Sequence, residues 1–219
     1  MKYVILISWC LLSSMVVTTA QKAGPWELKK DKKDVKVYVR DSPDSPIKQL
    51  KMEFSVEASM SAIVLLLQDV AAIPDWVYKC PEAYHLKKIN DSEEIYYNRV
   101  DFPWPLDDRD LVVKNVLMQD SVTKVVRSES FNQPTYIPEK EGIVRMPQLH
   151  LWWEFTPRGN GIVDVEYFLS SDPGGFIPAW IINLAIDQGP IQTVKAFREI
   201  LKTPKYRDAR LDFISELGE

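Results

Sequence analysis

Three consecutive stretches decide the fold: Val163-Asp-Val-Glu-Tyr-Phe-Leu169, then Asp172-Pro-Gly-Gly175, then Pro178-Ala-Trp-Ile-Ile-Asn-Leu-Ala-Ile-Asp-Gln-Gly-Pro-Ile-Gln-Thr-Val-Lys-Ala-Phe-Arg-Glu-Ile-Leu-Lys202. In the first, Val163, Val165, Tyr167 and Leu169 share one parity, with Asp164 and Glu166 on the other, which is a strand with one dry face. In the third, Trp180, Ile181, Leu184, Ile191, Val194, Phe197 and Leu201 recur at helical spacing, with Asp187, Lys195, Arg198 and Glu199 mostly opposite. The spacing predicts one amphipathic helix over 178–202, about 37 Å long at ~1.5 Å per residue. Pro178 suits its first turn, and Gly189-Pro190 predicts a kink or local break. The stretch between them, Asp172-Pro-Gly-Gly175, lacks GxGxxG spacing and reads as a sharp turn.

Upstream of this point the chain is mostly strand. Val35, Val37 and Val39 alternate with polar residues, as do Leu50, Met52, Phe54 and Val56, with Pro- and Asp-rich turn chemistry between the two runs. Ser59 is a candidate N-cap for a helix to about Val70, and Pro74 ends or redirects it. Strands are then expected at 84–90, 93–101, 109–119, 122–132, 143–156 and 161–169, joined by short turns. Short consecutive connections favour an antiparallel sheet, here of eight or so strands. A large curved sheet with one long helix against it leaves room for a small-molecule site.

Composition narrows the function. The 219 residues are 46% hydrophobic and 26% charged, which fits one globular domain and excludes collagen, low-complexity disorder and a multi-span membrane protein. A net charge of -4 argues against a nucleic-acid surface. Lys2, the apolar run 4–17 and Thr18-Thr19-Ala20 read as a secretory signal over residues 1–20, with Gln21 as the first mature residue and a periplasmic or extracellular destination. The other reading is an uncleaved anchor, for which the run is short of the ~20 residues of a span. Cleavage removes Cys10 and leaves Cys80, so no intramolecular disulfide is available, and Cys80 reads as an apolar packer. Residues 204–219 are charged and read as a loose tail or short extra helix.

Motifs for catalysis are missing. His85 and His150 stand far apart, and no HExxH, CxxC, GxSxG or GxxxxGK[ST] appears, so neither a metal nor another cofactor is expected. Asp107, Asp108 and Asp110 around Arg109 read either as a carboxylate site or as a solvated turn with an Arg salt bridge. Asn90-Asp91-Ser92 is a glycosylation sequon, relevant only in a eukaryotic secretory pathway. What remains is apolar: Leu149, Leu151, Trp153 and Phe155 on one strand, and Leu111, Val113 and Leu117 on another. Asn115 interrupts the second stripe, and Asn98 sits among Tyr96, Val100 and Phe102. These two amides either satisfy backbone groups and water, or are the few polar contacts of a lipid cavity.

Five stretches in register carry a family resemblance: Trp26-Glu-Leu-Lys-Lys leading into Val35-Lys-Val-Tyr38; Pro74-Asp-Trp76; Phe102-Pro-Trp-Pro105 with Arg109-Asp110; Pro138-Glu-Lys-Glu-Gly142-Ile-Val-Arg145; and Asp172-Pro-Gly-Gly-Phe-Ile-Pro-Ala-Trp180-Ile-Ile-Asn183. Across about 24–203 the chain resembles the START (steroidogenic-acute-regulatory-related lipid transfer) domain, and its last stretch is similar to the phosphatidylcholine-transfer branch. The resemblance implies an α+β helix-grip (START/Bet v 1-like) fold over 21–203. In that fold a curved antiparallel sheet wraps a long C-terminal helix and encloses a hydrophobic tunnel.

It also implies a monomeric, non-catalytic lipid carrier without a cofactor that touches membranes transiently. Tyr96, Asn98, Leu111, Val113 and Asn115 would meet the lipid from the middle strands. Leu149, Leu151, Trp153 and Tyr167 would meet it from the later strands, and Trp180 and Leu184 from the helix. Tyr136 and Ile137, in the loop 133–142, would form a gate or membrane-docking element, while Arg109, Asp110 and Arg145 would be structural. Phosphatidylcholine-binding members resemble one another in an Arg three residues before the tryptophan matching Trp76, where this chain has Ile73. The two neutral amides point instead to a neutral or hydroxyl-bearing head group, such as a sterol, hopanoid or sphingolipid, with a phospholipid as the other lipid partner considered. An enzyme of the wider helix-grip superfamily, cyclase- or hydrolase-like, and a lipid-sensing module are the alternative readings.

Overall fold

A computed structural model describes residues 23–218; the predicted signal segment and its cleavage site lie outside the described residues. Ten strands form one open sheet: β1 (Glu27–Lys32), β2 (Val35–Arg40), β3 (Gln49–Glu57), β4 (Glu82–Lys88), β5 (Glu93–Val100), β6 (Asp108–Gln119), β7 (Val126–Asn132), β8 (Ile143–Arg145), β9 (Gln148–Gly159) and β10 (Ile162–Asp172). Their order is β1-β2-β3-β10-β9-β7-β6-β5-β4, antiparallel throughout that path, with short β8 lying parallel beside β6. The helices are α1 (Met60–Gln68), α2 (Ile73–Trp76), α3 (Ala179–Ala185), α4 (Gln188–Leu201) and α5 (Pro204–Arg207), with a 3-10 turn at Val70–Ala72. This is the curved antiparallel sheet gripping C-terminal helices that the sequence predicts.

The sheet departs from expectation at two places. The exposed edge strand β1 has no dry face, so it carries no alternation to read. The run expected at 143–156 is two strands, divided at Met146-Pro147, where proline has no N–H to give to a ladder. Ser59 does cap α1, its hydroxyl accepting the Ala62 N–H at 3.1 Å.

The C-terminal helix is two helices, not one. Pro190 explains the break: it cannot donate to the carbonyl of Ile186, and its ring crowds that carbonyl, so the first helix ends there. In the new helix Pro190 occupies the first turn, where an N–H has no intrahelical partner anyway. Gly189 lets α4 come close to Tyr78, since a Cβ at that position would stand 3.2 Å from the ring.

An aromatic knot fastens α4 to the sheet. Phe197, fully buried, stacks on Trp153 at 5.9 Å and meets Trp76 at 5.3 Å and Phe54 at 6.2 Å edge-on. Around it lie Val35, Val37, Met52, Phe155, Val165 and the inner face of α1, forming the main core. The residues expected as a loose tail belong to this core. Tyr206 and Ile214 are buried in it, and the Tyr206 hydroxyl donates to Asp69 at 2.6 Å. Gln119 and Ser215 exchange two bonds at 2.8 and 2.9 Å, while the Glu216 carboxylate receives the Met60 and Ser61 N–H groups at the start of α1. The folded unit therefore extends well past residue 203.

Candidate functional site

Beyond the aromatic knot the sheet and helices part, leaving a cavity of about 370 Å³ between them, within the ~300–1,000 Å³ range of small-molecule sites. Strand pairing assembles its wall. Tyr167 stands opposite both Trp153 and Met52, Leu169 opposite both Leu151 and Leu50, and Asn98 opposite Leu111, so one parity on six strands faces the same space. The helices close it with Trp76 from α2, Ile182 from α3 and the start of α4, and Ile186 sits at the break between them.

Helix α3 has three faces. Ile182 and Ile186 line the cavity. Asn183 and Asp187 tie the helix down: the Lys48 N–H donates to Asn183 Oδ1 at 2.8 Å, and the Lys30 ammonium meets Asp187 at 3.1 Å. Trp180 and Leu184, four residues apart, face outward at 68% and 66% exposure. The expected place of these two residues inside the cavity is corrected: Trp180 and Leu184 do not line it, and on this helix Ile182 does, with Ile186 at the break.

A polar group sits in the apolar wall. Ser128 and Ser130, on β7, both donate to Asn115 Oδ1 at 2.8 and 2.9 Å. Tyr96 lies in hydrogen-bonding contact with Ser130. Burial pushes the phenols of Tyr96 and Tyr167 well above the ordinary tyrosine range, which keeps both protonated. Two buried polar atoms of cavity-lining residues have no partner, the carboxamide Oδ1 of Asn98 and the indole Nε1 of Trp76.

The other expected residues divide. Tyr96, Asn98, Leu111, Asn115, Leu149, Leu151, Trp153 and Tyr167 all line the cavity. Val113 lies just behind them, packed with Leu111, Met146 and Leu149. Tyr136 is exposed, but Ile137 packs against Ile95, Tyr97 and Val112, which point to the sheet face away from the cavity. The loop 133–142 is therefore set against the back of β5 and β6, and the gate expected at Tyr136 and Ile137 does not lie over the cavity. Sequence reading overlooked Ser128, Ser130, Trp76, Ile182 and Ile186; the parity of the two serines with Val126 was the available signal for them.

Arg109 organises the rim. It is buried and donates to the main-chain carbonyls of Asp107, Pro173 and Gly174 while lying 4.4 Å over the Phe102 ring. The salt bridge expected within the Asp107–Asp110 cluster is redistributed: Asp108 pairs with Arg99 at 3.2 Å and Asp110 with Arg145 at 2.6 Å. Asp172-Pro-Gly-Gly175 is a sharp turn, with Gly174 and Gly175 at φ 67° and 70°, under the Arg109 guanidinium. His150 lies outside the cavity, bonded to Glu129 at 2.7 Å. Burial pushes the Cys80 thiol up to about 11, which suits packing and not nucleophilic work. Among the described residues no group of three or more His, Cys, Asp or Glu is placed to hold a metal ion.

The START domain family model matches residues 10–207. The chain belongs to the START domain family. It is 33% identical to an uncharacterized protein of Pseudomonas aeruginosa over 80% of this chain and 86% of that one. It is 26% identical to the phosphatidylcholine transfer protein of Mus musculus over 78% of this chain and 80% of that one. The crystal structure of a STAR-related lipid transfer protein from Xanthomonas axonopodis superposes with a TM-score of 0.75 at 31% identity, covering 81% of this chain and 99% of that one.

Proposed function

We propose that this START domain is an exported, monomeric and non-catalytic carrier that holds one lipid in its cavity and exchanges it at a membrane surface. The observation that carries this is the cavity itself: open on one side, walled by aliphatic and aromatic side chains, and roofed by a helix whose outer stripe is apolar and exposed. The names of the relatives that transfer lipids support the same reading.

Membrane contact would be local. Arg109 ties the loop carrying exposed Trp104 to the loop carrying fully exposed Phe176, and Trp180 and Leu184 follow on α3. These side chains surround the rim where Phe102 and Pro173 reach the cavity. Apolar groups at a lipid interface suit a protein whose net charge of -4 offers no bulk attraction to anionic surfaces.

The non-catalytic part is supported by the composition of the wall: a cyclase or hydrolase needs an acid and a base on the reacting atoms, and the lining residues include no carboxylate, histidine or cysteine to act as the base. Export rests on the charged, apolar and small-residue order of residues 1–20.

Transfer of a fluorescent lipid between donor and acceptor vesicles tests the carrier reading. A rate that rises with protein concentration is expected, and a rate equal to spontaneous exchange would overturn it. N-terminal sequencing of the protein from the exported fraction should begin at Gln21.

A further inference from the structure

We infer, resting on the membrane-exchange reading above, that the rim of this chain docks on a bilayer whose surface carries no net charge, one of zwitterionic headgroups, and turns away an anionic one. The ground for this is which charges stand beside the exposed apolar groups and which of them are already paired.

The apolar groups stand on two segments, 101–108 with Trp104, and 172–187 with Phe176, Trp180 and Leu184. Trp104 is 92% exposed, so little of the protein covers its indole. Together the two segments hold five aspartates and neither a lysine nor an arginine. A third segment, 41–48, is fastened beside α3, where the Lys48 N–H donates to Asn183 Oδ1 and Asn183 Nδ2 donates to the Pro46 carbonyl. It adds Asp41, Asp44 and one lysine.

The cations that reach this rim are already occupied by its acids. Lys30 meets Asp187 at 3.1 Å, Lys48 meets Asp41 at 2.8 Å, Arg99 meets Asp108 at 3.2 Å, and Lys79 lies 3.8 Å from Asp101. Arg109 is buried beneath, with its donors on main-chain carbonyls. Arg40, at the end of the strand that leads into 41–48, turns to the back of the sheet, where it lies 4.3 Å over the Trp26 ring and bonds Gln49 at 2.7 Å. Asp44 and Asp107 are exposed, and among the described residues no salt bridge reaches either carboxylate.

A protein that holds an anionic leaflet does so with unpaired lysine and arginine near the surface. Here unpaired carboxylates stand in that place, so an anionic leaflet repels the rim until salt screens it. Tryptophan, phenylalanine and leucine enter the headgroup region without needing a surface charge. A zwitterionic surface accepts these side chains with no electrostatic opposition.

Flotation of the chain, as its host releases it, with vesicles of dioleoylphosphatidylcholine, alone or mixed two to one with dioleoylphosphatidylglycerol, tests this. Flotation with the neutral vesicles should change little with salt. The mixed vesicles should carry about fivefold less protein in low salt and regain it near 1 M NaCl, where the screening length is ~3 Å. Stronger flotation with the mixed vesicles, or equal flotation with both in low salt, would overturn the inference. Failure to float with either would overturn it as well, while protein-dependent transfer between vesicles would still uphold the carrier reading.

Matched charge reversals locate the effect. Asp107→Lys at the rim should turn the preference toward the mixed vesicles. Glu57→Lys makes the same change in net charge at the opposite end of β3 from the rim, about 27 Å along the strand, and should keep the wild-type preference. An equal response from the two variants would assign the selectivity to net charge and refute a role for this face.

Discussion

The guanidinium of Arg145 holds the carboxylate of Asp110 in two parallel bonds, Nε to Oδ1 at 2.6 Å and Nη2 to Oδ2 at 3.1 Å, with both side chains buried. The same guanidinium donates to the carbonyls of Pro134, Ile137 and Pro138, so one ion pair seals the loop 133–142 onto β6. Removing one partner of such a pair strands the other charge. Asp110→Ala and Arg145→Ala should each cost about 3–5 kcal/mol, while the double change should cost clearly less than their sum, as measured by urea unfolding of all four proteins. Arg145→Lys keeps the charge and loses the fork, and should fall between wild type and Arg145→Ala.

Glu94 makes stability depend on pH in the unusual direction. It is buried, its Oε2 lies 3.4 Å from His85 Nδ1, and burial raises its carboxyl to about 7. Below the ordinary carboxylate range both folded and unfolded chains hold the proton, and nothing is lost. Between roughly pH 4.5 and 7 the unfolded chain gives it up and the folded chain keeps it, so this group's contribution to stability falls by up to about 3 kcal/mol. Glu94→Gln should remove that slope and raise the melting temperature at pH 8 more than at pH 4.5. A wild-type profile with the same slope as the variant's would show that the carboxyl is not held neutral.

Phe197 is the bolt between α4 and the sheet. Phe197→Ala opens a hole among Phe54, Trp76, Trp153 and Phe155. A loss of about 3–5 kcal/mol is expected, which at this size lowers the melting point by roughly 10 °C. Thermal unfolding followed by circular dichroism reads it directly.

The outer stripe of α3 should separate stability from exchange. Trp180→Ser with Leu184→Ser removes side chains that are 68% and 66% exposed and belong to no core cluster, so unfolding should shift by no more than about 0.5 kcal/mol. Vesicle-to-vesicle transfer should slow by about tenfold, since each substitution removes part of the apolar contact with the bilayer. Transfer at the wild-type rate would place the docking surface elsewhere.

Much of this was legible without coordinates, because local periodicity reports local geometry. The parity of Leu149, Leu151 and Trp153 says which way each points on any strand, and Asn98 and Asn115 share the parity of their apolar neighbours on any pleat. Edges and interruptions were less legible. β1 buries no face, so its sequence carries no pattern. The tail 204–218 looked solvated because Tyr206 and Ile214 are separated by charged residues, and only contact with α1 and β6 shows that they complete the core.

Residue periodicity was enough for an antiparallel sheet, a helical C-terminus, and an apolar stripe with two amides in it. Tertiary structure decided what those parts do to each other. Helical spacing places Trp180 and Ile182 on different faces but cannot say which face meets the cavity; that follows from Pro190 ending α3 at Ile186 and from Lys48 and Lys30 holding Asn183 and Asp187. Likewise Asn115 is one polar residue in a stripe until strand pairing brings Ser128 and Ser130 to its oxygen. A period is a property of a few neighbouring residues, whereas a cavity and its chemistry are made by residues far apart in the chain, and only folding sets the distances between them.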